Sequence, residues 1–117
     1  MTPLEETAGL LYEKEGHVAT LVLNRPEAAN ALDPKTMDAL AQAWDDMARD
    51  DEVWVAIVTG AGDRFFCAGA DLKKTPPPPE SFAVGLFKPG GIRITPPADL
   101  WKPTIAAING MAIGGGL

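Results

Sequence analysis

The stretch Val18-Ala-Thr-Leu-Val-Leu-Asn-Arg-Pro-Glu-Ala-Ala-Asn-Ala-Leu-Asp-Pro34, with a second apolar run at Val53-Trp-Val-Ala-Ile-Val58, decides the fold class. Val18 to Leu23 reads as a strand with Val18, Thr20 and Val22 on one face. Pro26 cannot donate to a ladder and Asn30 suits a turn, so the strand stops between them and Leu23. Asp33 before Pro34 is a helix start, pairing a side-chain cap with a proline at the first helical position. Met37, Leu40, Trp44 and Met47 then recur at helical spacing as a stripe facing a core, while Lys35, Asp38, Asp45, Asp46 and Arg49 face water. The run from Val53 to Val58 lacks polar alternation, which predicts a strand buried on both faces of a sheet covered by helices. Strand, helix, strand is an α/β order with a right-handed crossover between parallel strands.

Outward from this unit, Leu10 to Glu15 predicts an earlier strand that meets Val18 through a hairpin turn at Gly16-His17. Residues 74–101 have a different character: Pro76 to Pro79, Gly90-Gly91 and Pro96-Pro97 interrupt any helix, so the segment reads as a long variable loop. Within it Phe82, Val84, Leu86 and Phe87 could form a short apolar patch. Lys102-Pro-Thr-Ile-Ala-Ala-Ile108 predicts a return to a buried strand, and a strand running into a glycine turn occurs twice, at 53–62 and 104–116.

Composition narrows the function classes. A chain of 117 residues is enough for one domain. Its net charge of −6 argues against nucleic acid or an anionic membrane as partner, since both are met with clustered Lys and Arg. The N-terminus carries acids where a signal peptide is basic, and the apolar run Ile105 to Leu117 is broken by Asn109, short of a bilayer span. Cys67 is the only cysteine, which excludes an internal disulfide and fits a cytoplasmic compartment. With one Cys and one His, no metal site is expected.

Two segments can carry chemistry: Phe65-Phe-Cys-Ala-Gly-Ala-Asp-Leu72 and Asn109-Gly-Met-Ala-Ile-Gly-Gly-Gly116. Each places small residues after an apolar strand, where a thioester or phosphate can approach main-chain N–H groups unobstructed. Side by side, two such loops make an oxyanion hole. Other motifs read more plainly. Gly60-Ala-Gly62 invites a dinucleotide reading, but Phe65 stands where the third glycine belongs. Cys67, between Phe66 and Ala68, reads as a packed thiol, and His17 as a solvated turn residue. Asp71 suits a helix cap, Lys73-Lys74 is either a solvated pair or a phosphate contact, and Trp44 and Trp54 are expected in the core.

Asn24-Arg-Pro-Glu-Ala-Ala-Asn-Ala-Leu, Val58-Thr-Gly-Ala-Gly, Phe66-Cys-Ala-Gly-Ala-Asp-Leu and Lys102-Pro-Thr-Ile-Ala-Ala-Ile-Asn-Gly with Gly114-Gly-Gly resemble, in order, the enoyl-CoA hydratase/isomerase (crotonase) family. The resemblance runs from about Leu11 to Leu117. It implies an α/β spiral of ββα units, incomplete in this chain, which would be the N-terminal part of a domain that binds acyl-CoA thioesters. It implies a homotrimer or a hexamer built as a dimer of trimers, or else a complementary C-terminal segment as partner. No cofactor is implied, coenzyme A being part of the substrate. The family's two backbone donors to the thioester oxygen map onto Ala70 and Gly115; Ala28, Ala68, Asp71, Leu72 and Gly114 map onto positions lining the CoA and acyl pocket, and Lys73 onto one near the nucleotide phosphates. The family's reaction-selecting carboxylates map beyond Leu117. The implied activity is hydration of an enoyl-CoA, with isomerase, dehydratase or hydrolase chemistry, or a non-catalytic fragment, as alternatives.

Overall fold

The computed structural model describes residues 5–69, 71, 96 and 100–116. The hairpin forms as its sequence predicts: β2 (Leu10–Glu15) and β3 (Val18–Leu23) pair antiparallel, with Glu15 opposite Val18 across the Gly16-His17 turn. A further strand, β1 (Glu5–Thr7), adds antiparallel to β2 and was not foreshadowed by any apolar pattern. After β3 the chain makes a 3₁₀ turn (Pro26–Ala28) and enters α1 (Pro34–Arg49). The Asp33 carboxylate accepts the Thr36 N–H at 2.8 Å, which is the cap that Asp33-Pro34 predicts. β4 (Val55–Gly60) then lies parallel to β3, and β6 (Thr104–Ala107) parallel to β4. Among the described residues the sheet order is β1-β2-β3-β4-β6. A second, two-stranded parallel pair joins β5 (Phe65–Cys67) to β7 (Met111–Ala112).

The core lies between α1 and one face of the sheet. Ala19, Leu21 and Leu23 of β3 and Ala56 of β4 are buried against Ala39, Leu40, Ala43, Trp44 and Met47 of the helix. Each buried Leu or Met here contributes about 1.5–3 kcal/mol by leaving water. The helix end is fixed by Lys102, whose ammonium donates to the Met47 and Asp50 carbonyl oxygens, each at 2.5 Å, satisfying groups the last turn leaves open and complementing its dipole. On the same side Lys14 bridges Asp46 and Asp50, and the Tyr12 hydroxyl donates to Asp46 at 2.8 Å.

Two burial expectations fail. The run around β4 is not buried on both faces: Ala56 is buried, but Val55 and Ile57 are half-buried and Trp54 is 62% exposed. The strand near 103–108 is not a buried one either, since Thr104 to Ala107 are all exposed. An apolar run specifies a strand, whereas burial requires something packed on each face, and α1 covers only the face that carries Ala56. Trp54 correspondingly leaves the core and stacks flat on His17, with ring centroids 3.6 Å apart. His17 is thereby a packed turn residue, its Nδ1 2.7 Å from the Glu52 carbonyl oxygen.

Candidate active site

The site is organised by the end of β5. Because β5 and β7 are parallel, the segments that follow them leave from the same end of the pair, the end at which open α/β sheets bind ligands. Both segments are tied to Cys67. One continues from it directly through Ala68 and Gly69; the other is fastened to it by the Ile113 N–H, which donates to the Cys67 carbonyl oxygen at 3.0 Å. The Gly114–Gly116 3₁₀ turn follows at once. Gly116 has to be glycine: a Cβ there would run into the carbonyl oxygen and Cβ of Cys67. Gly114 faces open space at φ +58°, exposed. Gly115 sits between them, within the turn.

Ala68, Gly69 and Asp71 are laced to the segment that precedes α1. The Ala68 N–H donates to the Ala29 carbonyl at 3.1 Å, the Leu32 N–H to the Gly69 carbonyl at 2.7 Å, and the Asp71 N–H to the Leu32 carbonyl at 2.8 Å. Ala28, half-buried at the end of its 3₁₀ turn, is therefore brought beside Ala68 through its neighbour Ala29. Ala70, Leu72 and Lys73 lie outside the described residues, as does most of the 74–101 segment.

Asp71 is buried, and its carboxylate accepts from Arg25 Nη2 at 3.0 Å. The same guanidinium donates through Nη1 to the Ala31 carbonyl at 2.6 Å and stands 3.8 Å from the Asp33 carboxylate. Arg25 is itself buried. Its sequence signal was faint: a charged residue in a turn reads as solvated, and its partner stands far along the chain.

Two asparagines do more than their sequence reading suggested, Asn30 being read as a turn residue and Asn109 as the break in an apolar run. Asn30, fully buried and at φ +55°, accepts the Arg25 N–H and donates to the Ala61 and Phe65 carbonyls at 3.0 and 2.9 Å. Asn109 accepts the Gly60 N–H and donates to the Gly60 and Gly62 carbonyls from the other side. Together they fix the 60–65 connection that aims β5.

Cys67 is not poised as a nucleophile. Burial pushes its thiol pKa above the usual range, and the Gly69 N–H, 3.4 Å from Sγ, offsets that only in part. Among the described residues no group of three His, Cys, Asp or Glu side chains gathers as a metal site would require, and no helix is long and apolar enough to cross a membrane.

The sequence pattern of the enoyl-CoA hydratase/isomerase family matches residues 13–117. The chain belongs to that family. It is 49% identical over 105 residues to the (E)-benzylidenesuccinyl-CoA hydratase of Thauera aromatica, covering 90% of this chain and 41% of that protein. It is 45% identical over 104 residues to the carnitinyl-CoA dehydratase of Proteus mirabilis, covering 86% of this chain and 38% of that one. A solved enoyl-CoA hydratase/isomerase from Mycobacterium paratuberculosis superposes with a TM-score of 0.76 at 38% identity, over 95% of this chain and 41% of that one. The crotonase-type α/β fold expected from the four motifs is thus borne out, and the chain spans about two fifths of the length of the relatives it matches.

Proposed function

We propose that this chain is the N-terminal part of an acyl-CoA-binding domain, and that the protein carrying it is an enoyl-CoA hydratase. The observation that carries the reading is the convergence of two small-residue segments on Cys67, at one end of a parallel strand pair. The N–H groups of Ala70 and Gly115 donate to the thioester oxygen. Water adds across the 2,3-double bond, its oxygen bonding to C3 and a proton arriving at C2, through an enolate whose oxygen carries the developing charge. Each donor in such a hole is worth roughly 2.7–4 kcal/mol of transition-state stabilisation. Ala28, Ala68, Asp71, Leu72 and Gly114 border the CoA and acyl groups, and Lys73 meets the nucleotide phosphates. The reaction needs no cofactor besides the CoA carried by the substrate. The whole protein is a trimer or a dimer of trimers in the cytoplasm.

The likeness to a carnitinyl-CoA dehydratase favours a second reading, loss of water from a 3-hydroxyacyl-CoA. The two are one reaction run in opposite directions over the same enolate, so the same donors serve both. The test is turnover of a short enoyl-CoA by the full-length protein, followed by loss of the conjugated thioester's absorbance. Gly115→Pro deletes one N–H, and its turnover is expected to fall by about 10²-fold or more. Unchanged turnover removes Gly115 from the mechanism; a wild-type protein inert toward both the short enoyl-CoA and its 3-hydroxyacyl hydrate overturns the hydratase and dehydratase readings together.

A further inference from the structure

The strongest unassigned feature is the buried cation at Arg25. A guanidinium taken out of water is costly unless it is paired and hydrogen-bonded, so one retained in a small domain has a structural or functional reason. Here the slot is built for it. The aliphatic stem lies over Gly9, where a Cβ would come within 2.6 Å of Cγ and 2.8 Å of Cδ. Its backbone N–H is held by Asn30 at 2.9 Å. Its head reaches three groups on two parts of the chain: the Ala31 carbonyl, the Asp33 carboxylate that caps α1, and the Asp71 carboxylate.

Those contacts join the two sides of the site. Ala31 and Asp33 belong to the segment that carries Ala28, whereas Asp71 ends the segment that begins at Ala68. The Leu32 backbone is clasped by Gly69 and Asp71, the residues on either side of Ala70 in the sequence. We infer that Arg25 is a positioning residue: through Asp71 it locks Ala68, Gly69 and Asp71 onto the 28–33 segment, and so holds both sequence neighbours of Ala70 against the turn proposed to meet CoA. This rests on the proposed role of Ala70. A guanidinium suits the task because its planar fork can hold a carboxylate and a carbonyl in fixed directions, which an ammonium cannot.

A misplacement of about 1 Å at a reacting group costs on the order of 10²-fold in rate. The test uses the full-length protein with Arg25→Lys, Arg25→Met and the double variant Arg25→Met/Asp71→Leu, each followed by amide hydrogen exchange, melting temperature and steady-state kinetics. Arg25→Met leaves the Asp71 carboxylate buried beside an apolar chain and is expected to melt lower; the double variant removes that charge and regains most of the melting temperature. If Arg25 positions the loop, kcat falls by about 10²-fold in Arg25→Met with KM moved by less than about threefold, and the double variant regains melting temperature while its Leu32 amide still exchanges faster than in the wild type. Arg25→Lys, which keeps the charge and loses the fork, folds and falls in between. If the double variant regains kcat along with melting temperature, Arg25 serves only to neutralise Asp71 and the inference is overturned.

Hydrogen exchange separates this failure from failure of the proposed activity. Faster exchange at the Leu32 and Asp71 amides in Arg25→Lys, with Leu21 and Met47 unchanged, supports the lock even if the wild type turns over no enoyl-CoA. Unchanged protection at Leu32 and Asp71 in all three variants overturns it even if the wild type is fully active.

Discussion

The stretch Ala68 and Gly69 with Asp71, and the turn at 113–116, follow the same strand pair, yet they are held by different means. The first is fastened by backbone bonds to Ala29 and Leu32 and by a buried ion pair, all supplied by the 24–33 segment that precedes α1. The second hangs on the short β5–β7 pairing and on the fit of Gly116 against Cys67, with Met111 and Ile113 half exposed on either side. The first is thus braced by a separate segment of the chain, whereas the second is held by β5 and its immediate neighbour Arg64.

The comparison breaks if the two bracing asparagines prove equivalent. Asn30 is fully buried, and Asn30→Ala strands the Arg25 N–H and the Ala61 and Phe65 carbonyls, each such group costing about 1–3 kcal/mol. A loss of roughly 3 kcal/mol or more is expected in urea unfolding. Asn109 makes one bond more, from the Thr59 hydroxyl, but sits partly in solvent, where water replaces them, so Asn109→Ala should lose only about 1 kcal/mol. Equal losses would show that the 60–65 connection is held no more firmly from the braced side than from the open one.

Gly116→Ala sharpens the comparison on the second loop. The added Cβ meets the backbone of Cys67 rather than a movable side chain, so either β7 or the 67–68 peptide must shift. Overpacking of this kind costs about 1–3 kcal/mol. The loss should appear as faster amide exchange at Ile113, whose N–H bond to Cys67 is broken first, with Leu32 and Asp71 still protected. Exchange that rises equally in both segments would mean that the two loops open as one unit, contrary to their separate bracing.

The elements were legible wherever a local rule suffices. Asp33-Pro34 caps a helix by chemistry confined to four residues, and the hairpin at Gly16-His17 needs only two apolar runs and a turn. The four family motifs pointed to the family and its fold, and they include both segments that meet at Cys67. What could not be read was pairing at a distance and cover. Nothing local to Arg25 announces Asp71, and β5–β7 pairing is carried by so few residues that no periodicity marks it. Trp54 and the β6 residues are apolar by composition, but their exposure follows from α1 lying on one face only. Lys14 was legible only as a charge on a strand, although it ties β2 to the far end of α1.

That far end gives the smallest expected effect, and its sign follows from three groups. The hydrogen bond from Lys14 holds the Asp46 carboxyl below its ordinary value of 3.8; burial opposes this and the Tyr12 hydroxyl assists it. Asp50 is lowered by the same ammonium and by the Glu52 N–H. Burial pulls Lys14 downward, but the combined bonds and charges of Asp46 and Asp50 outweigh it and hold the pKa above 10.5. A carboxyl lowered on folding stabilises the fold in full above its unfolded value and loses that contribution as pH falls through the folded one; a raised ammonium does so below its unfolded value and loses it as pH rises through the folded one. The stability difference between the wild type and Lys14→Met should therefore be flat from about pH 5 to 9, shrinking below and above that window. Because the side chains are partly exposed, added salt should reduce the plateau. A difference that slopes steadily through neutral pH would place the titrating group elsewhere, and would mean that Lys14 does not anchor the helix end opposite the braced loop.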